Sequence, residues 1–136
     1  LNNSGVIHLE GSMAGSVNPI TERYHSVTPY LSIKRASEAI DFYKSAFDAT
    51  GLMRILNPDG SIGHAEIQIG ESQIMSSDES PKMDFHSPAD SGGAPVHVHM
   101  YVECVDRIFT QAITVGSTAI IPPWKSNSGA TAPAPW

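Results

Sequence analysis

The stretch that decides the fold is Thr28-Pro-Tyr-Leu-Ser-Ile33 together with the helical pattern after it, because the chain repeats both. The second copy begins at His97-Val-His-Met-Tyr-Val102. A constant offset superimposes three pairs of positions, namely Ile33 on Val102, Ala36 on Val105 and Ile40 on Phe109. A repeated strand–helix unit predicts a pseudo-symmetric protein whose site lies where the two copies face each other.

Composition and charge predict a soluble globular chain of one domain. The 136 residues are 40% hydrophobic and carry a formal net charge of −6, and this length suffices for a hydrophobic core. The acidic balance argues against a nucleic-acid surface or an anionic membrane partner, and no apolar run approaches the roughly 18 residues of a membrane span. The single cysteine, Cys104, excludes an internal disulfide framework and favours the cytoplasm.

Hydrophobic periodicity predicts a strand, a helix and three further strands, and then the start of a second such unit. Val27, Leu31 and Ile33 alternate with polar residues as in a half-buried strand. Ser37 is the expected N-cap of a helix over residues 38–48. The other expected elements are strands 50–56, 62–69 and 72–76, a mobile linker 78–95, a strand 96–103, a helix 104–115 and a strand 117–121. This order predicts an α+β fold in which Ile40 and Phe109 bury against the sheet.

Domain boundaries follow from the same patterns. Residues 1–12, which end in Leu9-Glu-Gly-Ser12 before Met13, are expected to be vector-encoded residues ahead of the natural start. Residues 13–95 form the first unit with its linker, and residues 96–123 form a partial second unit. Residues 124–136 form an atypical tail without periodicity.

Several segments carry a resemblance to a known family. They are Tyr24-His-Ser-Val-Thr-Pro-Tyr-Leu31, Ala39-Ile-Asp-Phe-Tyr-Lys-Ser-Ala-Phe47, Asp59-Gly-Ser-Ile-Gly-His-Ala-Glu-Ile67 and His99-Met-Tyr-Val-Glu103. Over residues 18–122 the chain resembles the vicinal-oxygen-chelate superfamily of glyoxalases, bleomycin-resistance proteins and extradiol dioxygenases, and within it the PhnB-like branch. The resemblance implies paired βαβββ modules that form a cup around a small ligand, commonly with a divalent metal. We expect the second module to be incomplete at its C-terminus.

The tail from Trp124 departs from this family. PhnB-like chains resemble Val-Glu-x-Gln-Phe-Trp-Gly-Asp-Arg-Ser-Gly-Thr at this point. Codons for the present tail can spell that segment when the reading frame is moved by one base. We therefore expect a frameshift near Pro123, in the gene or in the recorded sequence; the alternative is a lineage-specific tail.

The resemblance implies metal ligands on the first and fourth strands of each module. His97 matches the first-strand ligand of the second module, and an imidazole suits zinc, nickel or iron. The corresponding first-module positions are Thr28 and Met75, which are poor ligands, and the fourth position falls beyond Trp136. We therefore expect no cofactor, although a divalent metal at His97 remains an alternative.

Other residues are candidates for ligand binding without a metal. Tyr30 and Tyr101, on corresponding strands, fit an aromatic wall. Under strict alternation His64 and Glu66 share a strand face and can form an acid–base couple, although an exposed hairpin face explains them equally well. The complete set of expected ligand-binding residues is Thr28, Tyr30, His64, Glu66, Met75, His99 and Tyr101.

The resulting functional interpretation is a protein that binds a small molecule in the cup without a complete metal site. No catalytic residue is identified. One alternative is a metal-dependent lyase, isomerase or dioxygenase of the same superfamily, and a second is a folded but inactive relic. Because an incomplete second module leaves strand edges uncovered, the sequence also predicts a homodimer.

Overall fold

A computed structural model of the chain describes residues 23–121, 124–125 and 131–132. The helices are α1 (Ala36–Phe47) and α2 (Val105–Thr114), and a short 3-10 turn spans Pro81–Met83. The strands are β1 (Tyr30–Ile33), β2 (Thr50–Leu56), β3 (Ile62–Ile69), β4 (Ser72–Asp78), β5 (Trp124–Lys125) and β6 (Thr131–Ala132). The predicted α+β class is confirmed, and the elements of the first unit match the expected ones closely.

The first four strands form one mixed sheet in the order β1-β4-β3-β2. β1 runs parallel to β4, whereas the β2–β3 and β3–β4 pairs are antiparallel. α1 covers one face of this sheet, because its Ala36 and Ile40 are buried in a cluster with Ala65, Ile67 and Ile74. Since side chains alternate between the faces of a strand, the residues between these core positions point to the opposite face.

That opposite face, which we call the open face, has a regular register. Tyr30 on β1 lies opposite Met75 on β4, Met75 lies opposite Glu66 on β3, and Glu66 lies opposite Met53 on β2. In the neighbouring row, Ile55 lies opposite His64. Directly opposed residues in a sheet have Cβ atoms about 4.5–5.5 Å apart, so the open face holds one carboxylate between two methionines.

The start of α1 differs from the prediction of a Ser37 N-cap. The helix begins at Ala36, and Arg35 occupies the cap position in a left-handed conformation with φ of 60° and no side-chain cap bond. The missing cap is supplied by Asp78 at the end of β4, whose Oδ1 accepts a hydrogen bond from the Ala36 amide at 2.8 Å. A distant carboxylate therefore replaces the local cap that the sequence pattern indicated.

The second unit is only partly formed in the structure. The predicted helix is present as α2, but the described residues 96–103 and 117–121 contain no strand, so these two strand predictions are wrong. Val96 and Val98 within this segment are 72% and 59% exposed. A strand needs a partner for its backbone hydrogen bonds, and within the described part of the chain β1–β4 pair only among themselves. Paired modules are therefore not seen among the described residues.

α2 packs against α1 rather than against a second sheet. Its buried residues are Ile108 and Ala112, and Phe109, expected in the core, is only half-buried. Asp48 at the end of α1 joins the two helices, because it accepts hydrogen bonds from Arg107 at 2.9 Å and from Gln111 at 2.8 Å. These bonds hold the pKa of Asp48 below its usual value, with the Arg107 bond as the larger cause.

Two predictions concern parts of the chain that the structure does not cover. Residues 1–12, the expected vector-encoded segment, lie outside the described residues, as does most of the tail 124–136. Within that tail, β5 and β6 pair as a short antiparallel ladder in which Trp124 lies opposite Ala132 and Lys125 opposite Thr131. The frameshift remains a prediction.

Candidate functional site

A chain of hydrogen-bonded side chains crosses the open face and is centred on Glu66. Its Oε1 lies 3.1 Å from Nε2 of His64, and its Oε2 accepts a hydrogen bond from the Tyr24 hydroxyl. Nδ1 of His64 in turn lies 3.3 Å from the Tyr30 hydroxyl. Four side chains from β3, β1 and the segment before β1 thus form one connected array, which we call the Tyr–His–Glu array.

Glu66 is the buried member of this array, with 7% of its surface exposed. Its hydrogen bond from Tyr24 is the main cause that lowers the pKa of the carboxyl below its ordinary value, and the bond with His64 adds to it. The same contact raises the pKa of Tyr24. Because a buried carboxylate is costly unless it is hydrogen-bonded, the array keeps Glu66 ionised inside the protein.

The outer end of the array reaches solvent. The Tyr30 side chain is 48% exposed, and its ring lies 5.7 Å from the His64 ring, centroid to centroid. Met53 and Ile55 on β2 are also about half exposed. The open face therefore combines aromatic and apolar surface with a polar array beneath it, as small-molecule sites do.

A second concave region lies elsewhere, beside α1. It is a cavity of about 1300 Å³ between the first unit and residues 98–108. Its apolar lining includes Leu31, Tyr43, Phe47, Ile74 and Ile108, several of which pack against the sheet core on the side of α1. None of the four residues of the Tyr–His–Glu array lines this cavity.

The predicted ligand-binding residues fall into these two places. The open face brings together Tyr30, His64, Glu66 and Met75, of which the first three are hydrogen-bonded in the array. Thr28, His99 and Tyr101 instead line the cavity, where Tyr101 is 93% exposed and its ring contacts His99. The single cup expected from the sequence is replaced by two regions because residues 96–103 form no strand.

Sequence reasoning did not identify Tyr24 as a site residue. It lies before β1, outside the regular elements, and no periodic pattern relates it to Glu66.

Asp78, interpreted from the sequence as part of a linker, is the last residue of β4. Its second oxygen accepts the Ile62 amide at 2.6 Å, so this residue is a structural anchor for α1 and β3.

The donors available do not fit the divalent metal that the resemblance implies. Met75 offers a thioether beside Glu66 and Tyr30, and Thr28 offers a hydroxyl at the separate cavity. Within residues 23–121, no group of three or more His, Cys, Asp or Glu side chains is arranged to hold an ion. The two first-module positions therefore carry weak ligands.

Comparison with known proteins identifies relatives and the fold. No protein-family model matches the chain. It is 37% identical over 112 residues to the uncharacterized protein Rv0887c of Mycobacterium tuberculosis strain H37Rv, covering 80% of this chain and 62% of that protein. It is 38% identical over 98 residues to the uncharacterized protein Mb0911c of Mycobacterium bovis, covering 70% of this chain and 64% of that protein. The chain thus spans about three fifths of the length of these curated relatives.

Solved structures with a similar fold include three proteins. The Arabidopsis thaliana gene product AT5G48480 superimposes with a TM-score of 0.59 at 20% identity, covering 73% of this chain and 79% of that one. TioX from Micromonospora sp. ML1 superimposes with a TM-score of 0.54 at 20% identity, covering 79% of this chain and 82% of that one. A PhnB protein from Bacillus cereus superimposes with a TM-score of 0.54 at 19% identity, covering 79% of this chain and 87% of that one. These proteins have the glyoxalase/bleomycin-resistance-like fold. At such identities the likeness shows the fold alone.

The part of the chain that the structure describes contains no helix with the length and apolar character needed to cross a membrane.

Proposed function

We propose that this protein belongs to the PhnB-like branch and binds a small molecule on the open face of its sheet without a complete metal site. The observation that carries the proposal is the buried, ionised Glu66, held by Tyr24 and His64 and flanked in register by Met53 and Met75. A buried position selected only for stability would favour an apolar residue, because burial of a charge costs free energy that hydrogen bonds only offset.

The open face offers a ligand both apolar and polar contacts. Half-exposed Tyr30, Met53 and Ile55 provide apolar surface, and apolar patches rimmed by polar groups commonly mark ligand sites. The Tyr30 hydroxyl and the His64 imidazole, which lie within hydrogen-bonding distance of each other, provide the polar contacts. This combination favours a small, partly aromatic ligand that carries a polar group.

A library of small aromatic compounds, screened by thermal shift and by NMR of backbone amides, tests the proposal. Binding should shift the amides of β1, β3 and β4, and Met75→Ala should weaken it about tenfold or more, which corresponds to about 1.4 kcal/mol. Met83→Ala is the matched control, since Met83 is an exposed methionine outside the sheet. Amide shifts confined to the cavity beside α1 would contradict the open face as the site, and the absence of any binding would favour the inactive relic.

We also propose that the complete fold pairs two βαβββ modules and that the chain is a cytoplasmic homodimer. Exposed apolar residues in the second unit support association, with Val96, Val98, Ile120 and Ile121 all more than half exposed. A partner chain can cover these residues and pair with the backbone of residues 96–103. Light scattering at micromolar concentration should give the mass of two chains. The mass of one chain, unchanged by a tenfold rise in concentration, would exclude the dimer.

A further inference from the structure

An ionised Glu66 and a neutral His64 together fix the direction of every hydrogen bond in the Tyr–His–Glu array. An ionised carboxylate only accepts hydrogen bonds, so both Tyr24 and Nε2 of His64 must donate to it. A neutral imidazole carries one proton, and if that proton lies on Nε2, then Nδ1 is an acceptor. The Tyr30 hydroxyl, 3.3 Å from Nδ1, therefore donates to His64.

This direction leaves the oxygen of Tyr30 as the acceptor at the exposed end of the array. A phenol that donates its proton inward presents its lone pairs outward, and Tyr30 is half exposed on the open face. A ligand group at that position therefore binds best if it donates a hydrogen bond to the Tyr30 oxygen.

We propose that Tyr30 and His64 form a proton-accepting pair for a ligand that carries an acidic O–H or N–H group, such as a phenol or an enol. The inference rests on the proposed binding function and names the chemistry of the ligand. In this proposal His64 and Glu66 act as a histidine–carboxylate couple. The sequence pattern alone left both residues as either functional or structural.

The proton transfer is balanced within the array and the ligand. The ligand O–H bond breaks and its proton bonds to the Tyr30 oxygen, while the Tyr30 O–H bond breaks and that proton bonds to Nδ1 of His64. One proton thus moves from the ligand to the imidazole, and the ligand becomes an anion beside Tyr30. Glu66 stabilises the imidazolium that forms. Met53 and Met75, which oppose Glu66 in the sheet, carry no charge that would compete with the imidazolium for Glu66.

The first test examines the protein without a ligand. Nitrogen-15 NMR of the histidine rings should show neutral His64 with its proton on Nε2. Detection of the proton on Nδ1 would overturn the proposal, since the Tyr30 hydroxyl could then not donate to that nitrogen. Tyr30→Phe should change the Nδ1 resonance of His64 and leave His86, which contacts Asp84 at 3.1 Å, unchanged.

The second test uses 4-nitrophenol, whose anion is coloured, in a buffer near pH 7, where an ordinary imidazole is mainly neutral and much of the free phenol is still protonated. Binding should produce the absorbance of the anion. His64→Gln should reduce the ratio of ionised to protonated bound probe about tenfold, the equivalent of one unit of pKa, because a glutamine cannot take up the proton. His86→Gln is the matched control from an exposed histidine–aspartate pair and should behave as wild type. Unchanged denaturation midpoints establish that the variants remain folded.

The outcomes separate this inference from the binding function. Binding of 4-nitrophenol as the protonated phenol, or equal ionisation in His64→Gln, would overturn proton transfer and leave the open face as a binding site. No binding of the probe, with other library compounds still bound there, would exclude acidic ligands as the class recognised. Only a failure of every compound on the open face would remove the binding function itself.

Discussion

The carboxylate of Asp78 accepts a hydrogen bond from the backbone amide of Ala36 at 2.8 Å, so the last residue of β4 caps the first turn of α1. The other oxygen of Asp78 accepts the Ile62 amide at 2.6 Å. One side chain therefore ties the start of α1 to the start of β3, and it fixes the helix over the sheet whose other face carries the Tyr–His–Glu array.

We expect Asp78→Ala to lower the free energy of unfolding by about 1–3 kcal/mol, because it leaves two partly buried amides without their acceptor. Asp78→Asn should cost less, since its amide retains one oxygen acceptor. Glu71→Ala, at an exposed turn position, serves as the control. Chemical denaturation measures all three, and equal stability of Asp78→Ala and wild type would show that water replaces the carboxylate at no cost.

We expect the acid dependence of stability to be reduced in Glu66→Gln. In the folded protein the pKa of Glu66 lies below its ordinary value of 4.5, so the unfolded state binds more protons between the two values. The stabilisation from this group is therefore complete above pH 4.5 and is lost as the pH falls through the folded pKa. Urea denaturation between pH 7 and pH 3 should give a flatter curve for the variant, and an identical slope would contradict an ionised, hydrogen-bonded Glu66.

We expect Ile40→Ala to cost about 2–5 kcal/mol, because Ile40 is 2% exposed within the core cluster and truncation leaves a cavity. Phe109→Ala should cost less, about 1–2 kcal/mol, because Phe109 is only half-buried on α2. Denaturation midpoints compare the two variants. Equal losses would mean that Phe109 packs in a core, as the repeat in the sequence predicts.

We expect the purified protein not to hold a stoichiometric divalent metal through four protein ligands. Thr28 and Met75, at two of the positions implied by the resemblance, are weak ligands. Elemental analysis after dialysis measures the metal content. About one ion per chain, lost in His97→Ala and retained in Met83→Ala, would contradict this expectation.

The sequence by itself determined the first unit of the fold. The alternation around Leu31 and Ile33 and the helical spacing of Ala36, Ile40 and Tyr43 are local periodicities that a buried face imposes on a strand or a helix. The same alternation placed His64 and Glu66 on one strand face, and their side chains do meet. These features were predictable because they depend on neighbours within a few residues.

The tertiary structure decided what depends on distant partners. Asp78 rather than Ser37 caps α1 because β4 brings its carboxylate to the helix start, and Tyr24 joins Glu66 across 42 positions of the chain. Residues 96–103 have the pattern of a strand, yet they form none. A strand is stabilised by hydrogen bonds to a neighbouring strand, and a sequence pattern records which face would be buried but cannot supply the partner.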